Sequence, residues 1–186
     1  MSTASDSAAR ATQSQPARGS SERTVVHSTF CIERTYAASA AQVYHALTDP
    51  VAKAKWFTGG ERFTLLARSM DVRPGGREHL QGRWSAGAHR AASDDREGPP
   101  SGVVSTFDAL YLDVIPEQRL VYAYEMHLDQ RKISASLATM ELKRAGTGTR
   151  LIVTEQGAFL DGWDDAGSRE RGTAQLLEAL ASSLQR

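Results

Sequence analysis

The sequence predicts an α+β domain: an antiparallel sheet of about six to seven strands, one face of which lies against a single long C-terminal helix. Three observations predict it. Six segments rich in alternating, β-branched and aromatic residues follow one another between Arg62 and Gly157, separated by turn chemistry. A further segment of the same kind opens the ordered chain. Near the end, Leu176, Leu177, Leu180 and Leu184 recur at helical spacing, an apolar stripe with Gln175 and Glu178 facing away.

Taken in order, residues 1 to about 24 are Ser, Ala, Thr, Gln and Arg with one proline and no large apolar side chain. Such a segment cannot bury enough surface to offset its ordering entropy, so a disordered tail is expected. Arg10, Arg18 and Arg23 also suit an organelle transit peptide, but no amphipathic helix accompanies them, and no apolar signal region is present. The folded domain is expected over 25–186. Ser28–Tyr36 reads as a strand with Phe30, Ile32 and Arg34 on one face and Cys31, Glu33 and Thr35 on the other. Ser39 followed by Gln42 is a capping box, opening a helix that stops at Asp49-Pro50 and buries Val43, Ala46 and Leu47. A second short helical turn is expected over Lys55, Trp56 and Phe57, ending at Gly59-Gly60, with Lys53 and Lys55 on a solvated basic side.

The six later strands are expected at Arg62–Val72, Glu78–Trp84, Gly102–Val114, Arg119–Leu128, Ser134–Leu142 and Thr149–Gly157. Pro74-Gly75-Gly76, Pro116-Glu117, Asp129-Gln130 and Gly146-Thr147-Gly148 supply turns between them. Residues 85–101 form a polar, Gly- and Pro-bearing insertion, expected to be mobile. The last helix is expected from Ser168 to Arg186, with Ser168 as its cap and the acidic run Asp161–Gly167 favourable to its N-terminal dipole. That run is not an EF-hand, because its twelfth position is Gly172 rather than Glu. Gly172 costs about 1 kcal/mol relative to Ala in a helix interior. It implies close approach to a strand or ligand, or a loosely formed first turn.

Composition narrows the function classes. The 186 residues carry 22 Lys+Arg against 22 Asp+Glu, so there is no field to hold nucleic acid or an acidic membrane surface. No apolar run approaches the length of a membrane span. The single cysteine, Cys31, offers neither an internal disulfide nor a thiolate metal cage. Asparagine is absent, which removes N-glycosylation, and four lysines against eighteen arginines suggest a GC-rich, bacterial genome. A cytoplasmic protein is the expectation. The histidines at 27, 45, 79, 89 and 127 show no metal-binding or triad spacing, and no Walker, dinucleotide or nucleophile-elbow motif occurs. Neither metal nor cofactor is expected.

Several motifs in order resemble a known group. They are Ser39-Ala-Ala-Gln-Val-Tyr-His-Ala-Leu-Thr-Asp-Pro50, then Trp56-Phe57, Asp71-Val-Arg-Pro-Gly-Gly76 and Leu112-Asp-Val-Ile-Pro-Glu-Gln-Arg-Leu-Val-Tyr122. Gly148-Thr-Arg-Leu151 and Thr154-Glu-Gln-Gly157 follow, leading into the terminal helix. Over roughly 28–184 the chain resembles the START-like (SRPBCC, helix-grip) superfamily. Within it, the chain is similar to the branch typified by the C-terminal domain of the activator of Hsp90 ATPase. The resemblance implies a curved sheet gripping the C-terminal helix over an apolar cavity; relatives bind hydrophobic molecules, act as cyclases or serve as co-chaperones. The insertion is longer than the family's, and Thr173 follows Gly172 where the family often has Trp.

Alternation places Leu120, Tyr122, Tyr124, Met126 and Leu128 on one face, Ser136, Ala138, Met140 and Leu142 on another, and Leu151, Val153 and Glu155 on a third. These three are expected to line one interior, where the small Ser136 and Ala138 leave unfilled volume. The alternative is that Tyr122, Tyr124 and Met126 pack as core. Glu155 is the most informative residue, since an unpaired buried carboxylate costs several kcal/mol. It either serves a ligand or a reaction, pairs with Arg77 or Arg34, or reaches solvent at the end of its strand. Phe63, Trp84 and Leu177 are expected to add apolar surface, and Trp163 to act as a lid or as a loop anchor. The ligand-binding set is therefore Phe63, Trp84, Tyr122, Tyr124, Met126, Met140, Glu155, Trp163 and Leu177. The function expected first is binding of an apolar or aromatic small molecule. The alternatives are a cyclase- or hydrolase-like enzyme with Glu155 as general base, and a module acting on a chaperone ATPase. A hydrophobic small molecule is the expected partner, with a chaperone or a second copy of the chain as further candidates.

Overall fold

The computed structural model describes residues 22–58, 60–85 and 99–185. Most of the expected tail and insertion lies outside them. The elements run β1 (Val25–Tyr36), α1 (Ala40–Thr48), α2 (Pro50–Lys53), a 3-10 turn at Gly60–Arg62, β2 (Phe63–Met70), β3 (Arg77–Trp84) and β4 (Val104–Ile115). They continue with β5 (Arg119–Leu128), β6 (Arg131–Ala145), β7 (Gly148–Leu160) and α3 (Ala166–Leu184).

The Ser39–Gln42 capping box forms as expected, with the Ser39 side chain accepting from the Gln42 amide and the Gln42 side chain accepting from the Ser39 amide. Asp49 then closes α1 and caps α2, with Pro50 at the first helical position. The second helix accordingly falls earlier than expected, and Trp56 and Phe57 follow it in turns. The Trp56 indole is buried and donates to the Ala46 carbonyl at 2.9 Å, which fixes that turn to α1.

All seven strands join one antiparallel sheet in the order β1-β7-β6-β5-β4-β3-β2. The first and second strands are thus its two edges, and α1 and α2 lie on the connection between them. Register shifts at Leu65/Ala67, Tyr111/Asp113 and Met126/His127 bend the strands and increase their twist, giving the sheet its curve. The long strands outrun their expected ends because the Gly146-Thr147 and Asp129-Gln130 turns are tight and pairing continues up to them.

The concave face carries the core. Alternation holds along β5, β6 and β7, so that Leu120, Tyr122, Met140, Leu142, Leu151 and Val153 are all buried on it. Helix α3 lies near the β1 side and buries Leu177 and Leu180, and the Tyr36 hydroxyl donates to the Leu177 carbonyl at 3.2 Å. The α3 cap differs from expectation. Asp165, not Ser168, is the N-cap, and its carboxylate accepts from the Ser168 amide at 2.9 Å, so the helix starts at Ala166. A methyl group at Gly172 would meet nothing within 4 Å, so no strand approaches the helix there. Among the described residues no helix is long and apolar enough to cross a membrane.

Candidate functional site

Glu155 lies in the middle of β7 with its side chain on the concave face, 3% exposed. Ala138 is its cross-strand partner, and Tyr122 is the partner of Ala138 on the next strand. The neighbouring row is Gly157, Ser136 and Tyr124. Glu155 reaches diagonally into that row. Its Oε1 accepts from the Tyr124 hydroxyl at 2.5 Å and from the Ser136 hydroxyl at 2.9 Å.

The positive charge comes from α3. Arg169, on the first turns of that helix, places Nη1 3.4 Å from Glu155 Oε1 and donates from it to the Tyr124 hydroxyl at 2.6 Å. Its Nη2 donates to Ser134 at 2.7 Å and to Asp164. The partner of Glu155 is therefore Arg169, and neither Arg77 nor Arg34 takes that role. Arg77 is exposed on β3, and Arg34 pairs with Glu178 at 3.1 Å. Burial works against the charge on Arg169, but Tyr124, Asp164 and Glu155 together outweigh it and hold the guanidinium more firmly protonated than usual. Burial raises the pKa of Tyr124, and Glu155 adds to that rise while Arg169 opposes it, so the phenol stays neutral and donates to the carboxylate.

Two polar atoms are left over. Glu155 Oε2 has no partner among the described residues, and neither does the hydroxyl of Tyr122, a side chain 8% exposed. Tyr122 is flanked by the rings of Tyr124 and Tyr111 at 5.9 and 5.7 Å and by Phe107 at 6.4 Å. Its pKa is raised well above the ordinary value, by burial first and then by its neighbours Tyr124, Glu155 and Glu78.

A second buried ion pair lies on the other side of that aromatic row. Lys53 at the end of α2 donates to Glu78 Oε2 on β3 at 2.7 Å, and the Tyr111 hydroxyl donates to the same oxygen at 2.6 Å. Lys53 was expected on a solvated face, but it is 5% exposed and sits 4.7 Å above the Phe57 ring. Burial lowers its pKa, while the Glu78 carboxylate and hydrogen bond oppose that shift. The alternation Glu78, Leu80, Gly82, Trp84 could have revealed Glu78, because it puts the carboxylate on the apolar side of its strand.

The structure brings Tyr122, Tyr124, Met140 and Glu155 together on adjacent strands, with Met126 partly buried at the same face and Leu177 buried on α3. Phe63 and Trp84 stand farther along the sheet, edge to face at 5.3 Å, with the Phe63 ring lying over Gly82 where no side chain would fit. Trp163 stands apart, 51% exposed with Arg131 stacked 3.7 Å from its ring centre, which is an anchoring contact. Two shallow concavities on the surface lie away from α3. One, of about 510 Å³, is lined by His27, Thr29, Ala135 and Gln156 on the outer face. The other, of about 360 Å³, is lined by Met70, Asp71 and the turn before β3.

A curved antiparallel sheet closed on one side by a C-terminal helix, with buried polar side chains between them, defines a helix-grip protein of the START-like superfamily. The pattern of the family described as Activator of Hsp90 ATPase homolog 1-like protein matches residues 37–185, and the chain belongs to that family. An uncharacterised protein of Rhizobium leguminosarum is 37% identical over 89% of this chain and 99% of its own, with a TM-score of 0.75. Mll3558 from Rhizobium loti is 42% identical over 86% and 99%, with a TM-score of 0.70. DynU16, from the dynemicin biosynthetic locus, is similar in fold at 18% identity over 84% of this chain and 47% of its own, with a TM-score of 0.55. No match was found among curated proteins.

Proposed function

We propose that the protein binds an apolar, aromatic small molecule on the concave face under α3, with Tyr122, Tyr124, Met140 and Glu155 as its wall. The observation that carries this reading is that the Tyr122 hydroxyl and one Glu155 oxygen make no hydrogen bond among the described residues and share the concave face, on either side of Ala138. A ligand hydroxyl or amide placed between the two atoms donates to the carboxylate and accepts from the phenol. Ala138 and Ser136 are small residues on the strand between Tyr122 and Glu155, the lowest part of the floor over which a ring could lie if the packing above them opens. The interior is otherwise well filled by Phe107, Met140, Leu177 and Leu180, so binding requires α3 to shift outward.

The test is titration of the purified chain with 2-naphthol and with naphthalene, alongside native mass spectrometry of the protein as isolated. The naphthol should bind about tenfold more tightly than the hydrocarbon, the equivalent of about 1.4 kcal/mol, and Tyr122→Phe combined with Glu155→Gln should erase that difference. Equal binding of both compounds to the wild type, or binding of neither together with no co-purifying apolar molecule, overturns the reading.

A further inference from the structure

The hairpin of β2 and β3 holds a guanidinium that makes no ion pair among the described residues. Arg68 pairs with Leu80 across that hairpin, on the concave side, and donates from Nη2 to the Phe57 carbonyl. Its Nε is sealed from solvent and has no hydrogen-bond partner, and no carboxylate lies within ion-pair distance of it among the described residues. The acid whose charge acts on it is Glu78, which gives its Oε2 to Lys53 and to the Tyr111 hydroxyl and makes no ion pair with Arg68. Lys53, Arg68 and Glu78 therefore sum to one uncompensated positive charge. Among the described residues the other buried side-chain nitrogen without a partner is Trp84 Nε1, on the same hairpin. Both orphans are donors, so the hairpin has an excess of buried N–H groups and lacks an acceptor. Protein interiors rarely leave such donors unmet, and a guanidinium nitrogen shut off from water without an acceptor is costly.

We infer that the inner side of the β2–β3 hairpin is a binding site for a carboxylate-bearing aromatic molecule, with Arg68 as the residue that receives the acid. A guanidinium offers two parallel N–H groups to a carboxylate, and Arg68 has Nε free for one of them. The rings beside it suit an aromatic body: Phe57, whose carbonyl Arg68 already holds, packs edge to face on Phe107 at 5.4 Å. Arg68 keeps partial exposure on an edge strand, so an acid arriving from solvent reaches Nε once the side chains that cover it move aside, with no paired strands separated. The inference does not depend on a ligand at Tyr122, which lies three strands away.

The experiment compares 2-naphthoate with the isosteric, neutral 2-naphthamide, using the full-length 15N-labelled chain. Naphthoate should bind at least about tenfold more tightly than the amide, and it should shift the Arg68 Nε–Hε resonance where the amide does not. The preference should weaken as salt rises. Arg68→Gln should abolish it, and Tyr122→Phe should leave it intact. Equal affinity for the two compounds, an unmoved Arg68 resonance at saturating naphthoate, or no naphthoate binding at all overturns the site. A preference lost in Tyr122→Phe but kept in Arg68→Gln also overturns it, by assigning the acid to the other end of the sheet. Because the resonance is read on the wild-type protein, a poorly folding Arg68→Gln does not remove the test.

Discussion

Two buried ion pairs flank the central tyrosines, and they are built alike. In each, one oxygen of a strand glutamate accepts a tyrosine hydroxyl and faces a cation delivered by a helix. Glu78 takes Tyr111 and Lys53 from α2; Glu155 takes Tyr124 and Arg169 from α3. They differ in closure. The side chains of Lys53 and Glu78 are 6% and 3% exposed at 2.7 Å, with a single contact joining them. Arg169 stands 3.4 Å from Glu155, is 12% exposed, and is shared with Tyr124, Ser134 and Asp164. The first pair ties a short helix to the sheet. Each glutamate keeps one oxygen without a hydrogen bond among the described residues, so the difference lies in the cation and in the tyrosines. The second pair distributes its charge over several partners, and the Tyr122 hydroxyl on the same face is unused. A tightly closed pair serves the fold, whereas a shared, less buried cation with a free hydroxyl on its face has capacity for a ligand.

The largest expected effect is at the closed pair. Lys53→Met strands Glu78 in the interior and should cost about 3–5 kcal/mol in urea unfolding. Replacing Lys53, Glu78 and Tyr111 together by Met, Leu and Phe should restore most of it, because no buried charge or hydroxyl then lacks a partner.

Arg169→Met should cost less, about 2–3 kcal/mol, because Tyr124 and Ser136 still donate to Glu155. Hydrogen exchange should quicken in the first turns of α3 while β2 and β3 stay protected. A greater loss from Arg169→Met than from Lys53→Met would reverse the contrast.

The two tyrosines sharpen the difference. Tyr124→Phe removes a donor to a buried carboxylate and should cost about 1–2 kcal/mol. Tyr122→Phe removes a hydroxyl that holds nothing, so the change should stay within about 0.5 kcal/mol. If Tyr122→Phe destabilises as much as Tyr124→Phe, the hydroxyl is not free.

The smallest effect concerns how α3 is held. Backbone and side-chain donors of Ser168 keep the Asp165 carboxyl below its ordinary 3.8. The folded pKa is depressed, so this stabilisation is full above pH 3.8 and is lost as pH falls through the lower, folded value. Unfolding midpoints followed from pH 5 to pH 2 should decline less steeply for Asp165→Asn than for the wild type.

Much of this arrangement was legible in the chain. Period-two alternation placed Leu120, Tyr122, Tyr124, Ser136, Ala138, Leu151, Val153 and Glu155 on one interior, because a strand's side chains have only two directions to take. The Ser39 capping box and the Leu177–Leu180 stripe located α1 and α3 for equally local reasons. Lys53 was misread because a lysine beside another lysine looks like a solvated face, and its partner Glu78 is 25 residues away on an edge-side strand. Arg169 falls about three turns before Leu180 and so shares its face, a signal that the demand of Glu155 for a cation could have picked out.

The sequence by itself therefore determined the strands, helices α1 and α3, the inward faces and the presence of a buried carboxylate on β7, since each follows from near-neighbour patterning. Only the tertiary structure decided which cation meets which carboxylate, which hydroxyl stays unpaired and which arginine lacks an anion. Those outcomes depend on distances between residues far apart in the chain, set when the curved sheet and its helices pack together.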